Sequence, residues 1–178
     1  MKVIIVVASK HGSTRSIAEV VGDEIRNGGL DVSIVDADAT DISLYGYDAA
    51  VIGSAVYVGR WMRDARAFIE VNRELLRKMP LWLFSSGPLG DGSQQPDDLA
   101  DVRTFADDVH ARDHRVFAGS LDKADLSLAE RAAVRMVHAP YGDMREWDEI
   151  RSWAATIAAE LTLSSSSTAE PPSMTAPS

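Results

Sequence analysis

The sequence predicts a three-layer α/β sandwich around a five-stranded parallel sheet of order 2-1-3-4-5. Three observations carry this. The chain opens on Lys2–Ala8, a continuous β-branched run of the kind buried on both faces in parallel sheets. Short apolar runs then alternate with amphipathic helical segments, which implies βαβ units. Five such runs, rather than the six of the dinucleotide-binding fold, favour the order in which a ligand sits at the carboxyl ends of strands one and three.

The elements follow in order. After the first strand comes a loop of Ser, Gly and Thr. Ile17, Val20, Val21, Glu24 and Ile25 then show helical spacing, and Asn27-Gly28-Gly29 stops the helix. Asp31–Val35 reads as the second strand, Ala49–Gly53 as the third, Leu81–Ser85 as the fourth and Arg115–Ala118 as the fifth. Arg63–Lys78 reads as a helix with Ala67, Phe68, Val71, Leu75 and Leu76 on one side. Further helical stretches are expected over about 96–111 and over Ser127–Val137, where Ser127 and Glu130 make a capping box. The last helix spans Trp147–Leu161 with an apolar stripe of Ile150, Trp153, Ala154, Ile157 and Leu161. One domain over 1–163 and a disordered tail over 164–178 are expected, because the composition turns to Ser, Thr and Pro after Leu163.

Composition excludes several classes of function. The net charge of −9 leaves no basic footprint for nucleic acid. With no cysteine there are no disulfides, thiolate metal sites or cysteine nucleophiles, so a cysteine-based phosphatase is ruled out. Val3–Ala8 is too short for a signal peptide core, and no apolar run reaches a membrane span. No integral membrane segment is expected, and the cytoplasm is the default compartment.

The loop Ser9-Lys10-His11-Gly12-Ser13-Thr14 is the first candidate site. It precedes a helix whose N-terminus offers unpaired N–H groups and a partial positive charge. Hydroxyls at Ser9, Ser13 and Thr14 add donors, Gly12 admits close approach, and no carboxylate interrupts the loop. The plainer alternative is an ordinary helix cap at Ser13 or Thr14. Neither a Walker loop nor GxGxxG is present.

Ser-x-His-Gly-Ser-Thr after a first strand resembles the phosphate loop of flavodoxins. The segments Gly53–Trp61 and Ser85–Asp91 lie where that family's second and third flavin loops lie. The resemblance covers about residues 1–162 and makes the predicted fold flavodoxin-like. It is stronger to the branch that includes menaquinone-dependent protoporphyrinogen dehydrogenase, through Gly119-Ser120-Leu121-Asp122, Leu126–Met136 and Gly142–Trp147. It implies FMN as cofactor. Ser9, Lys10, His11, Gly12, Ser13 and Thr14 would hold the phosphate. Ser54, Ala55, Val56, Tyr57 and Val58 would meet the ring edge, with Tyr57 over one face. Ser86, Gly87, Pro88, Leu89 and Gly90 would meet the pyrimidine end. Tyr57 and Ser86–Pro88 have plainer alternatives, a surface aromatic and a simple strand-to-helix turn; Trp61 could also cover a ring face, but core packing is the leading reading for it.

Other polar residues read as ordinary. His11 either contacts phosphate or packs at the cofactor edge. His138 reads as solvent-exposed, and His110 and His114 as surface residues beside a polar helix end. Arg60 and Arg63 border the second loop and either pair with acidic substituents or start a solvated helix. Asp97-Asp98, Asp101 and Asp107-Asp108 suggest no metal. Since the third loop has no aromatic residue, one ring face stays open to a planar substrate. The leading expectation is therefore an FMN-dependent oxidoreductase for a small-molecule redox substrate, a quinone or a tetrapyrrole. The alternatives are a deazaflavin (coenzyme F-420) protein and a carrier docking to a redox protein partner. No catalytic side chain is implied.

Overall fold

The computed structural model describes residues 1–57, 59–87, 99–122, 131 and 141–167. Its elements are β1 (Lys2–Ala8), α1 (Ser13–Asn27), β2 (Asp31–Asp36), β3 (Ala49–Tyr57), β4 (Arg60–Trp61), α2 (Arg63–Leu76), β5 (Leu81–Gly87), α3 (Ala100–Asp108), β6 (Asp113–Ala118), β7 (Ser120–Leu121), β8 (Gly142–Asp143) and α4 (Trp147–Ser167). The main sheet runs β2-β1-β3-β5-β6, all parallel, with β4 turned back antiparallel on β3. This is the expected order, since β5 and β6 are the fourth and fifth of its long strands.

Alternation along the strands builds the three layers. Val3, Ile5 and Val7 of β1 face α1 and α4, with Ile17, Val21, Ile25, Trp153 and Ile157. Ile4, Val6 and Ala8 face the opposite layer of Phe68, Ile69, Leu76 and Val102 from α2 and α3. Because both faces are covered, β1 must be apolar throughout, which is why it reads as an unbroken run.

Several boundaries differ from the sequence expectation. β3 continues through Gly53 to Tyr57. Gly53 is there for space: a Cβ would lie 2.0 Å from Cζ of Phe84. α3 ends at Asp108 because His110 adopts a left-handed φ of 56°. α4 runs past Leu163 to Ser167, its serines donating back to carbonyls one turn earlier, Ser164 to Glu160 and Ser166 to Thr162. Of the expected tail, 164–167 are thus helical and the rest lies outside the described residues. Ser127–Val137 and its capping box lie outside them too, apart from Arg131, which is helical.

Candidate functional site

Strand register brings three candidate segments to one end of the sheet. Ala8 is level with Ser54, Ser54 with Ser85, and Ala55 with Ser86. The loop 9–12, the β3–β4 hairpin and the end of β5 therefore stand side by side at the carboxyl ends of β1, β3 and β5.

The first loop has the form of an anion cradle. Gly12 caps α1 in the left-handed conformation, φ 82°, and no side-chain cap hydrogen bond to the helix start occurs among the described residues. The ordinary cap at Ser13 or Thr14 is thus excluded; both lie inside the helix. Within the first turn, Ser16 N–H reaches Gly12 O at 2.9 Å, while the amides before it have no intrahelical acceptor. The first turn holds no acidic residue. A Cβ built on Gly12 would meet nothing within 4 Å, so the cradle opens onto free space. These donors fit a phosphate group. Ser9, His11 and Ser13 are half-buried, Lys10 is exposed and Thr14 is buried.

Arg15, in the same turn, is engaged elsewhere, through partners that no local pattern signals. It bonds Asp36 at the end of β2 at 2.6 Å and Glu19 at 3.4 Å. The hydrogen bond to Asp36 raises its pKa further. Between this pair and the start of α2 lies a cavity of about 350 Å³, lined by Ser9, Gly12, Arg15, Asp36, Asp38 and Asp64 among others.

In the second segment the strand directs side chains differently from a loop. Ser54 is fully buried; its hydroxyl accepts Met62 N–H at 2.9 Å and donates to Ala55 O at 2.9 Å. It holds the hairpin rather than offering a hydroxyl to a ligand. Ala55 and Val56 are buried, whereas Tyr57 keeps 39% of its surface exposed at the hairpin end. Arg60 and Arg63 are exposed beside it. In the third segment Ser86 is buried and Gly87 half-buried. Val58, Pro88, Leu89, Gly90 and His138 lie outside the described residues.

Trp61 packs into the core at 2% exposure, edge-on to Phe105 with ring centroids 5.1 Å apart. Its Nε1–H donates to Ser85 Oγ at 2.7 Å, and Ser85 Oγ lies 2.8 Å from His114 Nε2. His114 is therefore not the surface residue expected from its polar neighbours. It shares the inward side of β6 with Val116, which packs against the α2–α3 layer. Burial lowers its pKa from 6.5 to about 4, against a partly opposing pull from Asp113. The neutral ring and the Ser85 hydroxyl share one hydrogen bond, whose direction is set by the ring tautomer. This relay pins the hairpin that carries Tyr57.

No group of carboxylates or histidines suited to a metal ion occurs among the described residues. Asp108 instead ties α2 to α3 through Arg73 and Arg77. No helix among the described residues is long and apolar enough to cross a membrane.

Residues 4–147 match the family model described as a flavodoxin domain. No curated protein sequence matches the chain. Among solved structures, a flavodoxin from the domain Archaea is similar at 17% identity and a TM-score of 0.61, covering 91% of this chain and 99% of its own. A mutant flavodoxin from Pseudomonas aeruginosa is similar at 16% identity and 0.60, with 91% and 99% covered. Rubredoxin oxygen:oxidoreductase from the anaerobe Desulfovibrio gigas is similar at 18% identity and 0.62, with 91% of this chain but 36% of that protein covered.

Proposed function

Since the chain belongs to the flavodoxin-domain family, which implies a flavin cofactor, we propose that it is an FMN-dependent oxidoreductase. The cofactor lies across the carboxyl ends of β1, β3 and β5. The observation that carries this reading is the α1 N-terminus, which has an open Gly12 cradle, no side-chain cap and no acid in its first turn. That end holds the phosphate through backbone N–H groups and the Ser9, Ser13 and Thr14 hydroxyls. Tyr57 covers one face of the ring. When bound, the flavin supplies a two-electron acceptor and donor; the chain's own residues bind and orient it.

The third loop, Ser85–Asp91, contains no aromatic residue. This supports an open second face on which a planar substrate, a quinone or a tetrapyrrole, stacks. The cavity beside the cradle carries Asp36, Asp38 and Asp64 against Arg15, which is already paired. Its acidity favours FMN over a deazaflavin with a polycarboxylate tail.

The test begins with the purified chain. Absorption bands of oxidised FMN are expected. Steady-state turnover with menadione or protoporphyrinogen is expected to exceed that of free FMN. A chain that holds flavin but turns over neither substrate would be a carrier for a redox protein partner. A colourless chain that takes up added deazaflavin but not FMN would overturn the cofactor assignment.

A further inference from the structure

The residues 119–120 join three parts of the molecule. Gly119 N–H donates to Gly87 O at the end of β5, 2.9 Å away. Gly119 O accepts from Met144 N–H at 3.1 Å, just beyond β8. Ser120 N–H donates to Ser13 Oγ at 2.8 Å. The joint also opens the β7–β8 ribbon, in which Ser120 pairs with Asp143 and Leu121 with Gly142. Gly119 sits in a close approach: a Cβ there would lie 3.2 Å from Ser86 Oγ and 3.3 Å from Gly87 O, so a neighbour would have to give by a few tenths of an ångström.

The bond to Ser13 fixes a hydroxyl in the phosphate cradle. A serine oxygen accepts through its lone pairs and donates through its single hydrogen. With Ser120 N–H on the oxygen, the Ser13 hydrogen is left to donate outward, and no acceptor for it occurs among the described residues. A phosphate taking that hydrogen would polarise Ser13 Oγ and tighten the bond from Ser120, as chained hydrogen bonds do. We propose that the β7–β8 ribbon, acting through the Gly119–Ser120 joint, orients the Ser13 hydroxyl for the cofactor phosphate. Ser120 and Met144 are thereby positioning residues for a group they do not touch. This rests on the reading that a flavin phosphate binds at the α1 N-terminus.

Met144→Pro tests it, because it removes the N–H that docks the ribbon on Gly119 and leaves the three flavin segments unaltered. Met144→Ala keeps that N–H and serves as the control. Each is titrated with FMN and with riboflavin, which lacks the phosphate. Loss of one hydrogen bond at the joint is expected to weaken FMN about three- to tenfold and to leave riboflavin unchanged. Met144→Ala is expected to match the parent for both ligands. Hydrogen exchange on the unaltered chain supplies a second measurement that is independent of how the variant folds. By reciprocity, saturation with FMN is expected to slow exchange of the Ser120 amide by a similar factor, and riboflavin to leave it unchanged. Equal FMN affinity in the parent and a folded Met144→Pro variant would overturn the proposal. So would Ser120 exchange that is indifferent to FMN while FMN binds. Failure of the parent to bind FMN at all would instead remove the site reading itself.

Discussion

The substitution Ser85→Ala tests the buried relay that holds the β3–β4 hairpin. It removes the acceptor of the Trp61 Nε1–H, 2.7 Å away, on an indole that is 2% exposed. Water does not reach that donor, so its desolvation is uncompensated at about 1–3 kcal/mol. His114 loses the same partner, but its half-buried ring costs less. The expected loss is about 2–3 kcal/mol in urea unfolding at pH 7, read by linear extrapolation. In a Trp61→Phe background the donor is already gone, and Ser85→Ala is expected to cost under about 1 kcal/mol, a coupling of the size contacting residues show. A cost below about 0.5 kcal/mol in the parent, or the same cost in both backgrounds, would show that the Trp61–Ser85 bond does not hold the hairpin.

His114 gives the chain a pH dependence. Its folded pKa of about 4 lies below the ordinary 6.5. The unfolded chain therefore binds more protons, and this contribution is complete above pH 6.5 and lost as pH falls toward 4. It is capped at about 3 kcal/mol at 1.36 kcal/mol per unit. His114→Gln is expected to flatten that part of the stability profile, and an unchanged difference between variant and parent from pH 7 to 4 would exclude it. Ser13→Asp places a carboxylate in the cradle and is expected to weaken FMN tenfold or more by charge repulsion; FMN retained through gel filtration would put the phosphate elsewhere. Tyr57→Ala removes a stacking face and is expected to weaken FMN and riboflavin alike, by roughly two- to tenfold. Unchanged affinity in a fluorescence titration would make Tyr57 a surface aromatic.

Features set by local pattern were legible in the sequence. Lys2–Ala8 declared a two-sided buried strand because α1 and α2 cover opposite faces of it. The Ser- and Gly-rich loop before α1 declared the start of a helix with no acid in its first turn, because that pattern lies within one helical turn. What escaped depends on distant partners. Gly53 resembled a strand end, whereas it makes room for the Phe84 ring on the neighbouring strand. Had the alternation been carried through it, Ser54 would have faced the core. His114 sat in a polar stretch, and only its place one step from Val116 on β6 could have marked it as inward. The Gly119–Asp122 and Gly142–Trp147 segments carry part of the family resemblance, but their pairing as a ribbon is a contact across the intervening chain that no local periodicity encodes.

The proposed function stands on a flavin phosphate bound at the α1 N-terminus beside the β3–β4 hairpin and the end of β5. Parallel calorimetric titrations of the purified chain with FMN and with riboflavin test it most directly. One FMN per chain is expected, bound about tenfold or more tightly than riboflavin, as charge-assisted hydrogen bonds to a phosphate require. No binding of FMN, or equal affinity for the two ligands, would contradict it.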